Sequence, residues 1–434
     1  MSQRATLAVP KIGVHVPALD GLRGLAILLV MACHFTMFVP RPKGAVGYGL
    51  RMLYSGWTGV DLFFVLSGFL ITGILYDTKG ATNALRNFYV RRILRIFPLY
   101  LGVLVIIFVA LPMAIRGLDG MSWRLDSFLT ALDSSFAGTH GRAELAFWLH
   151  ASNILAAIKG HLYAPGHFWS LAVEEQFYLV WPFIVFAFRR ETLTAICASL
   201  VVAALICRVC LVLAAEPVAA FVTLPCRMDP LAIGAFLALA ARAPRGLEAL
   251  TTPAKWILAI CGVLWGAIFI QQRGWPHDTP VVQTVGYSVV AMFYGALMIV
   301  ALAAPGDRHL GWLLRQTWLR FVGKISYGIY VFHGLIFVWL LKLIPLSQSP
   351  APTRVAQQVS ELFALPSASS ELGLAHVLDA VAYIALATIL SVAVAWLSWN
   401  FYEKHFLQLK RGFSYTHAAH AKTQNVQRNE PVDG

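Results

Sequence analysis

Residues 19–35 read LDGLRGLAILLVMACHF. The stretch is apolar enough to span a bilayer, yet it carries Asp20, Arg23 and His34. A spanning helix takes roughly 17–25 residues, so these groups fall within or beside hydrocarbon. Ionisable side chains there are costly and tend to mark functional sites. Arg23 and His34 are eleven residues apart, about 1100° of helical rotation, which puts them within about 20° of one face and some 16 Å apart along the axis. One stripe of the first helix therefore carries a cation near one end and an imidazole near the other.

The rest of the chain extends the membrane reading. Of its 434 residues 58% are hydrophobic and only 13% charged, where a soluble domain carries roughly 25% charged residues; the mean hydropathy is +0.68. Too little charge remains to cover a water-facing surface, so the solvent is lipid. Ten apolar runs reach or approach spanning length, near 21–39, 56–76, 97–115, 168–188, 193–214, 228–241, 256–271, 280–303, 325–345 and 376–402. The expected fold is all-α: one polytopic membrane helix bundle of about ten transmembrane helices, over residues 1–403. Residues 404–434 are expected to form a short, basic, disordered cytoplasmic tail. A weaker run at 143–158 is expected to be interfacial or re-entrant.

The net charge of +13 sits mainly in short connections between apolar runs. That placement speaks for topology and against a nucleic-acid partner. Alternate connections carry about twice the Lys and Arg of the others, which puts both termini in the cytoplasm and the protein in a bacterial inner membrane, with the lipid bilayer as its first partner. The first apolar run lacks a cleavage site behind it, so it is expected to remain as a helix. The six cysteines lie within or at the ends of apolar runs and read as small hydrophobes; the Cys207–Cys210 spacing has no second pair and no nearby His, and no metal is expected.

Other spans carry groups that an inert helix would exclude. GVDLFFVLSGFLIT at 59–72 places Asp61 near one end of the second helix, and HFWSLAVEEQFYLVWP at 167–182 brings in Glu174 and Glu175. Counting along each helix from an assumed bilayer surface places His34, Asp61 and the glutamates at a shared depth in the outer half. Arg92 and Arg95 are i,i+3 neighbours in the connection before the third span, and paired guanidinium forks suit phosphate recognition. Ser326, Tyr330 and His333 form a polar stripe down the ninth helix at i, i+4 and i+7.

Taken in order, these strings, with RMDPLAIGA at 227–235 and SYGIYVFHG at 326–334, make the chain resemble acyltransferase family 3. This is a family of multi-pass membrane proteins that includes O-antigen, exopolysaccharide and macrolide acyltransferases. The resemblance covers about residues 17–403. It implies acyl transfer from a cytoplasmic CoA thioester, most often acetyl-CoA, to a hydroxyl of a sugar or small molecule. It also implies an essential role for His34 and functional roles for Arg92 and Arg95. Many relatives continue into a C-terminal periplasmic esterase-like domain, for which the tail here is too short.

Together these readings predict a catalytic group of His34 with Glu174 or Glu175, a donor site of Arg23, Arg92 and Arg95, and a substrate pocket of Asp61, Ser326, Tyr330 and His333. His34 is expected to act as general base, with one glutamate orienting it; the two point about 100° apart, so at most one faces His34. Acyl-CoA enters as co-substrate, with no permanently bound cofactor. The alternative is a proton-coupled transporter, which would use the same intramembrane Asp, Glu and His but has no need for the arginine pair. No internal repeat of the kind that marks common transporter folds stands out.

Overall fold

The computed structural model describes residues 16–37, 39, 44–117, 130, 133–136, 138–304, 309–343 and 374–416. Among the described residues it is all helix apart from turns and short connections. Ten long helices follow the ten apolar runs: α1 Pro17–Thr36, α2 Gly59–Asp77, α3 Ala84–Val105, α4 Trp169–Ala187, α5 Arg190–Leu213, α6 Met228–Ala241, α7 Glu248–Gln272, α8 Tyr287–Ala303, α9 Ser326–Leu343 and α10 Leu374–Ser398. Eight of these lie in helical segments long and apolar enough to cross a membrane. The other two depart from simple spans. α9 is set at 74° to the short helix Thr317–Lys324 that precedes it, the geometry of a broken span or a re-entrant loop. α6 has only 14 residues, some 21 Å at 1.5 Å per residue, against a hydrocarbon core of about 30 Å. The run at 143–158 forms two short helices, Arg142–Trp148 and Ser152–Lys159, neither of spanning length.

Burial separates the inner helices from the lipid-facing ones. The span that runs through α2 has 78% of its apolar window buried in protein, against 17% for α5 and for α7. α6 is shielded on nearly all sides, and it lies so close to α2 that a Cβ at Gly68 would collide with the Leu231 carbonyl and one at Gly234 with that of Val65. Small residues at such contacts let helix backbones meet where no hydrophobic force drives association.

Two buried ion pairs lock this centre. Arg227, at the start of α6, donates to Asp61 at 2.7 Å, and both side chains are 1% exposed. Asp229 accepts a bidentate pair of bonds at 2.9 and 2.8 Å from Arg208 of α5, which also donates to the Cys226 carbonyl and to Ser288. Among the described residues Arg227 Nε and Nη1 and Asp61 Oδ2 have no hydrogen-bond partner. The guanidinium lies instead 4.4 Å from the Tyr287 ring centroid, with Trp169 and Phe221 also within 6 Å, where ring quadrupoles stabilise a cation. This corrects the placing of Asp61 in a substrate pocket: its carboxylate is committed to a structural pair joining α2 to α6.

The end of the chain is a second correction. Residues 404–416, expected to open a disordered tail, continue as the helix Lys404–Leu409 and a short turn, then run beside α3. Asn83 and Asn87 both donate to the Ser414 carbonyl, and the Asn83 side chain exchanges hydrogen bonds with Thr416. The rest of the tail, 417–434, lies outside the described residues.

Removing one member of a buried pair strands its partner's charge, at a cost of about 3–5 kcal/mol. Asp61→Ala is therefore expected to lower the melting temperature of the detergent-solubilised protein markedly. A variant as stable as the parent would show that Asp61 is free to serve a pocket.

Candidate active site

Two cavities lie side by side in the bundle. The first, of about 110 Å³, is lined by Arg23, Arg92, Arg95, Glu174, Ser67, Tyr178, Ser170, Ser326 and Tyr330 among others. The second, of about 300 Å³, is lined by His34, His167, Trp57, Trp169, Phe221, His277, Phe337 and Tyr330. Val60 and Tyr330 line both. We call them the arginine chamber and the histidine chamber.

α3 begins at Ala84, well ahead of the apolar run, so Arg92 and Arg95 lie near its middle on one helical face. Arg92 sits 5.1 Å from the Tyr178 ring centroid, and Tyr178 shares a 2.5 Å hydrogen bond with Ser67 of α2. Arg23 reaches the same chamber from α1 and holds a 3.5 Å contact to Asp20. The break before α9 opens that helix's first turn into this space through Ser326 and Tyr327. Neither Arg92 nor Arg95 forms an ion pair among the described residues. Unpaired guanidiniums beside a helix start make an anion site by the ordinary rules of charge and orphan N–H groups.

The histidine chamber is built round three imidazoles from three helical segments. His34 of α1 and His333 of α9 have ring centroids 4.8 Å apart. His167, in the turn that leads into α4, is 4.8 Å from His333 and 6.2 Å from His34. A glycine makes room for it: a Cβ at Gly334 would come within 2.7 Å of the His167 ring. No cluster of His, Cys, Asp or Glu among the described residues has an arrangement suited to a metal ion.

The hydrogen bonds define the tautomers. A carbonyl only accepts, so a ring nitrogen facing one must carry the proton. His333 Nδ1 lies 3.0 and 2.8 Å from the Ile329 and Tyr330 carbonyls, which leaves its Nε2 as an acceptor. That nitrogen is 3.4 Å from His34 Nδ1, and the same Nδ1 donates to the Val30 carbonyl at 2.9 Å. His34 is thus held with its proton on Nδ1 and its Nε2 lone pair unclaimed, the form a general base needs. Between the chambers Tyr330 donates to the His167 carbonyl at 2.8 Å and also bonds the Ser170 hydroxyl. Farther out, burial holds the His277 imidazole below its ordinary range, so this part of the wall is uncharged at neutral pH.

The predicted site residues divide between these places. Arg23, Arg92, Arg95, Ser326 and Glu174 line the arginine chamber, His34 lines the histidine chamber, and Tyr330 belongs to both. His333 is fully buried against His34. The expected partnership of His34 with a glutamate is not what the structure shows. Glu174 lies beside Tyr178, Ser67 and the arginines. Glu175 lies within electrostatic reach of Glu174 and Arg92 and of Tyr100 and Tyr327. The depth count went astray because it started α4 at the membrane surface. His167 is already level with His34, so Glu174, seven residues on, lies roughly 10 Å deeper along the helix axis. Sequence reasoning also missed His167, although that residue opens the quoted HFWSLAVEEQF string.

A bundle of apolar helices that encloses an arginine-lined chamber and a histidine-lined chamber, with one tyrosine lining both, defines a polytopic protein with polar groups gathered inside its own core. Comparison with known proteins says which kind. The acyltransferase 3 family profile, described as an acyltransferase domain, matches residues 16–400, and the chain belongs to this family. It is 28% identical over 375 residues to the peptidoglycan O-acetyltransferase OatA of Listeria monocytogenes, covering 82% of this chain and 54% of that protein. It is 29% identical over 340 residues to a putative peptidoglycan O-acetyltransferase, YrhL, of Bacillus subtilis, covering 75% of this chain and 49% of that protein. The chain thus spans about half the length of these relatives. No solved structure matches it.

If His34 is the base, His34→Ala should reduce acyl transfer by roughly 10²–10⁴-fold with donor binding retained. His333→Ala should lower kcat while leaving KM for the donor unchanged. His333→Gln, whose amide oxygen can still accept from His34 Nδ1, should recover part of the loss. Full turnover in His333→Ala would remove it from the orienting role.

Proposed function

We propose that the protein is a membrane-bound O-acyltransferase. It carries an acetyl group from cytoplasmic acetyl-CoA to a hydroxyl of an envelope glycan of the peptidoglycan type on the opposite side of a bacterial inner membrane. The observation that carries this reading is the junction of the two chambers at Tyr330 and Val60, with the base on one side and the unpaired arginines on the other. The names of the relatives, which are O-acetyltransferases of peptidoglycan, support the acetyl group and the glycan.

The division of labour follows from size and charge. At about 110 Å³ the arginine chamber falls below the roughly 300–1,000 Å³ typical of small-molecule pockets. It suits the narrow pantetheine arm, leaving the nucleotide at the mouth. The excess of basic residues in the connections on that side assigns it to the cytoplasm. The histidine chamber, at about 300 Å³ and largely aromatic, suits one ring of a glycan presented from the other side.

In the reaction His34 Nε2 takes the proton of the acceptor hydroxyl as its oxygen attacks the thioester carbonyl. The C–S bond breaks, the ester forms, and the departing CoA thiolate takes the proton back from His34. While His34 is an imidazolium, its Nδ1–H bonds to Val30 and His333 become charge-assisted and stabilise it. Tyr330 stands where the acyl group would pass between the chambers.

Incubating purified protein with labelled acetyl-CoA and fractionated envelope glycans tests the reading: the label should appear as an ester on the glycan. Arg92→Ala/Arg95→Ala should bind acetyl-CoA at least about a hundredfold more weakly, because each charge-assisted contact is worth on the order of 1.5–3 kcal/mol. Lysines at both positions should recover only part of this, since an ammonium lacks the planar fork. Titration calorimetry on the detergent-purified protein decides. Unchanged affinity in the double alanine variant would reduce the arginines to a topology signal.

A further inference from the structure

The strap formed by residues 410–416 has no role in the chemistry above, yet it is tied firmly to the helix that carries Arg92 and Arg95. Arg91 does the tying: it donates to the carbonyls of Lys410 at 3.1 Å and Phe413 at 3.0 Å, and its guanidinium lies 5.7 Å from the Tyr415 ring centroid. Asn87 adds a 2.7 Å bond to the Ser414 carbonyl. Of three arginines within five residues, one is therefore spent on fixing the strap while its two neighbours line the chamber. The fixed strap leaves the Lys410 side chain, half-buried, within electrostatic reach of Arg91, Arg92 and Arg95, where burial and these cations disfavour its charged form until an anion joins them.

Such a grouping repels itself. Arg23, Arg91, Arg92, Arg95 and Lys410 are accompanied by four nearby carboxylates, Asp20, Glu174, Glu175 and Glu403, which still leaves the cations in excess. Glu403 is already bonded by Ser398 at 2.9 Å, and Lys410 forms no ion pair among the described residues. Like charges held together in a partly desolvated place are costly unless an anion joins them. Five hydrogen bonds donated by Asn83, Asn87 and Arg91 hold the strap in that unfavourable position.

We propose that the strap is the outer wall of the donor site, and that Lys410 acts with Arg92 and Arg95 to bind a phosphate of acyl-CoA at the chamber mouth. This rests on the acyl-CoA reading of the arginine chamber and extends it to the chain's last described segment. A phosphate at this mouth could also come from an anionic lipid headgroup, so the test separates the two sources.

Acetyl-CoA binding is measured by calorimetry on the full chain in zwitterionic nanodiscs, then in nanodiscs containing anionic lipid. Lys410→Gln is expected to weaken binding about tenfold or more, the scale of one charge-assisted contact, and Lys410→Arg to restore most of it. Asn87→Ala, which loosens the strap without touching a cation, should weaken binding by a smaller factor. Thermal melting without ligand controls for folding, since a purely structural lysine would alter stability and not affinity. If Arg92→Ala/Arg95→Ala loses acetyl-CoA while Lys410→Gln binds it like the parent, the strap proposal is overturned and the donor reading stands. A Lys410 effect confined to anionic nanodiscs assigns the site to a lipid headgroup and likewise overturns it. If the parent itself fails to bind acetyl-CoA, the donor reading falls and the strap proposal with it.

Discussion

An ionised group inside an apolar bundle must find a partner in the protein, because the surrounding lipid offers none. This constraint sorts the polar residues of the chain into two sets. Arg208, Asp229, Arg227 and Asp61 satisfy one another at the junction of α2, α5 and α6. They hold the short α6 in place where its length alone could not anchor it across a bilayer. Among the described residues Arg92 and Arg95 are left without ion pairs, and His34 keeps a nitrogen unclaimed. The first set is architecture, and the second is what remains available for a substrate. Asp61 shows why intramembrane charge alone does not separate the two: its partner has to be known first.

The fold was largely legible because each helix is an apolar run with few exceptions, and hydropathy is additive along the chain. The places where that reading erred share a cause. A run such as SYGIYVFHGLIF gives no sign that the helix bends 74° just before Ser326, since the break depends on α1 packing against both arms. The partnership of Asp61 with Arg227 spans 166 residues and rests on tertiary contact alone. Glu174 was placed with His34 because its helix was assumed to begin at the membrane surface, whereas the turn at 166–168 starts inside the protein. That Arg92 and Arg95 share a helical face was legible from their spacing; the His333 imidazole that meets His34 was visible only as part of a polar stripe on a distant helix.

The replacement of a carboxylate by His333 as the orienting group has a chemical consequence. A neutral imidazole acceptor fixes the tautomer of His34 without placing a negative charge in the core, where a carboxylate would need a cation of its own. It also leaves Glu174 in the arginine chamber, where it lowers the local excess of positive charge without pairing off Arg92 or Arg95. The proposed function thereby divides the site into a charged half for an anionic carrier and an aromatic, histidine-lined half for the acceptor. That division suits an enzyme whose two substrates approach from opposite sides.

Transfer across the membrane is the central claim, and sidedness tests it most directly. The protein would be reconstituted in one orientation in sealed vesicles, with labelled acetyl-CoA supplied to one face and glycan acceptor to the other. Labelled glycan should form only when acetyl-CoA is on the face of Arg92 and Arg95 and the acceptor on the face of the histidine chamber. Equal labelling with both substrates confined to one face would contradict it.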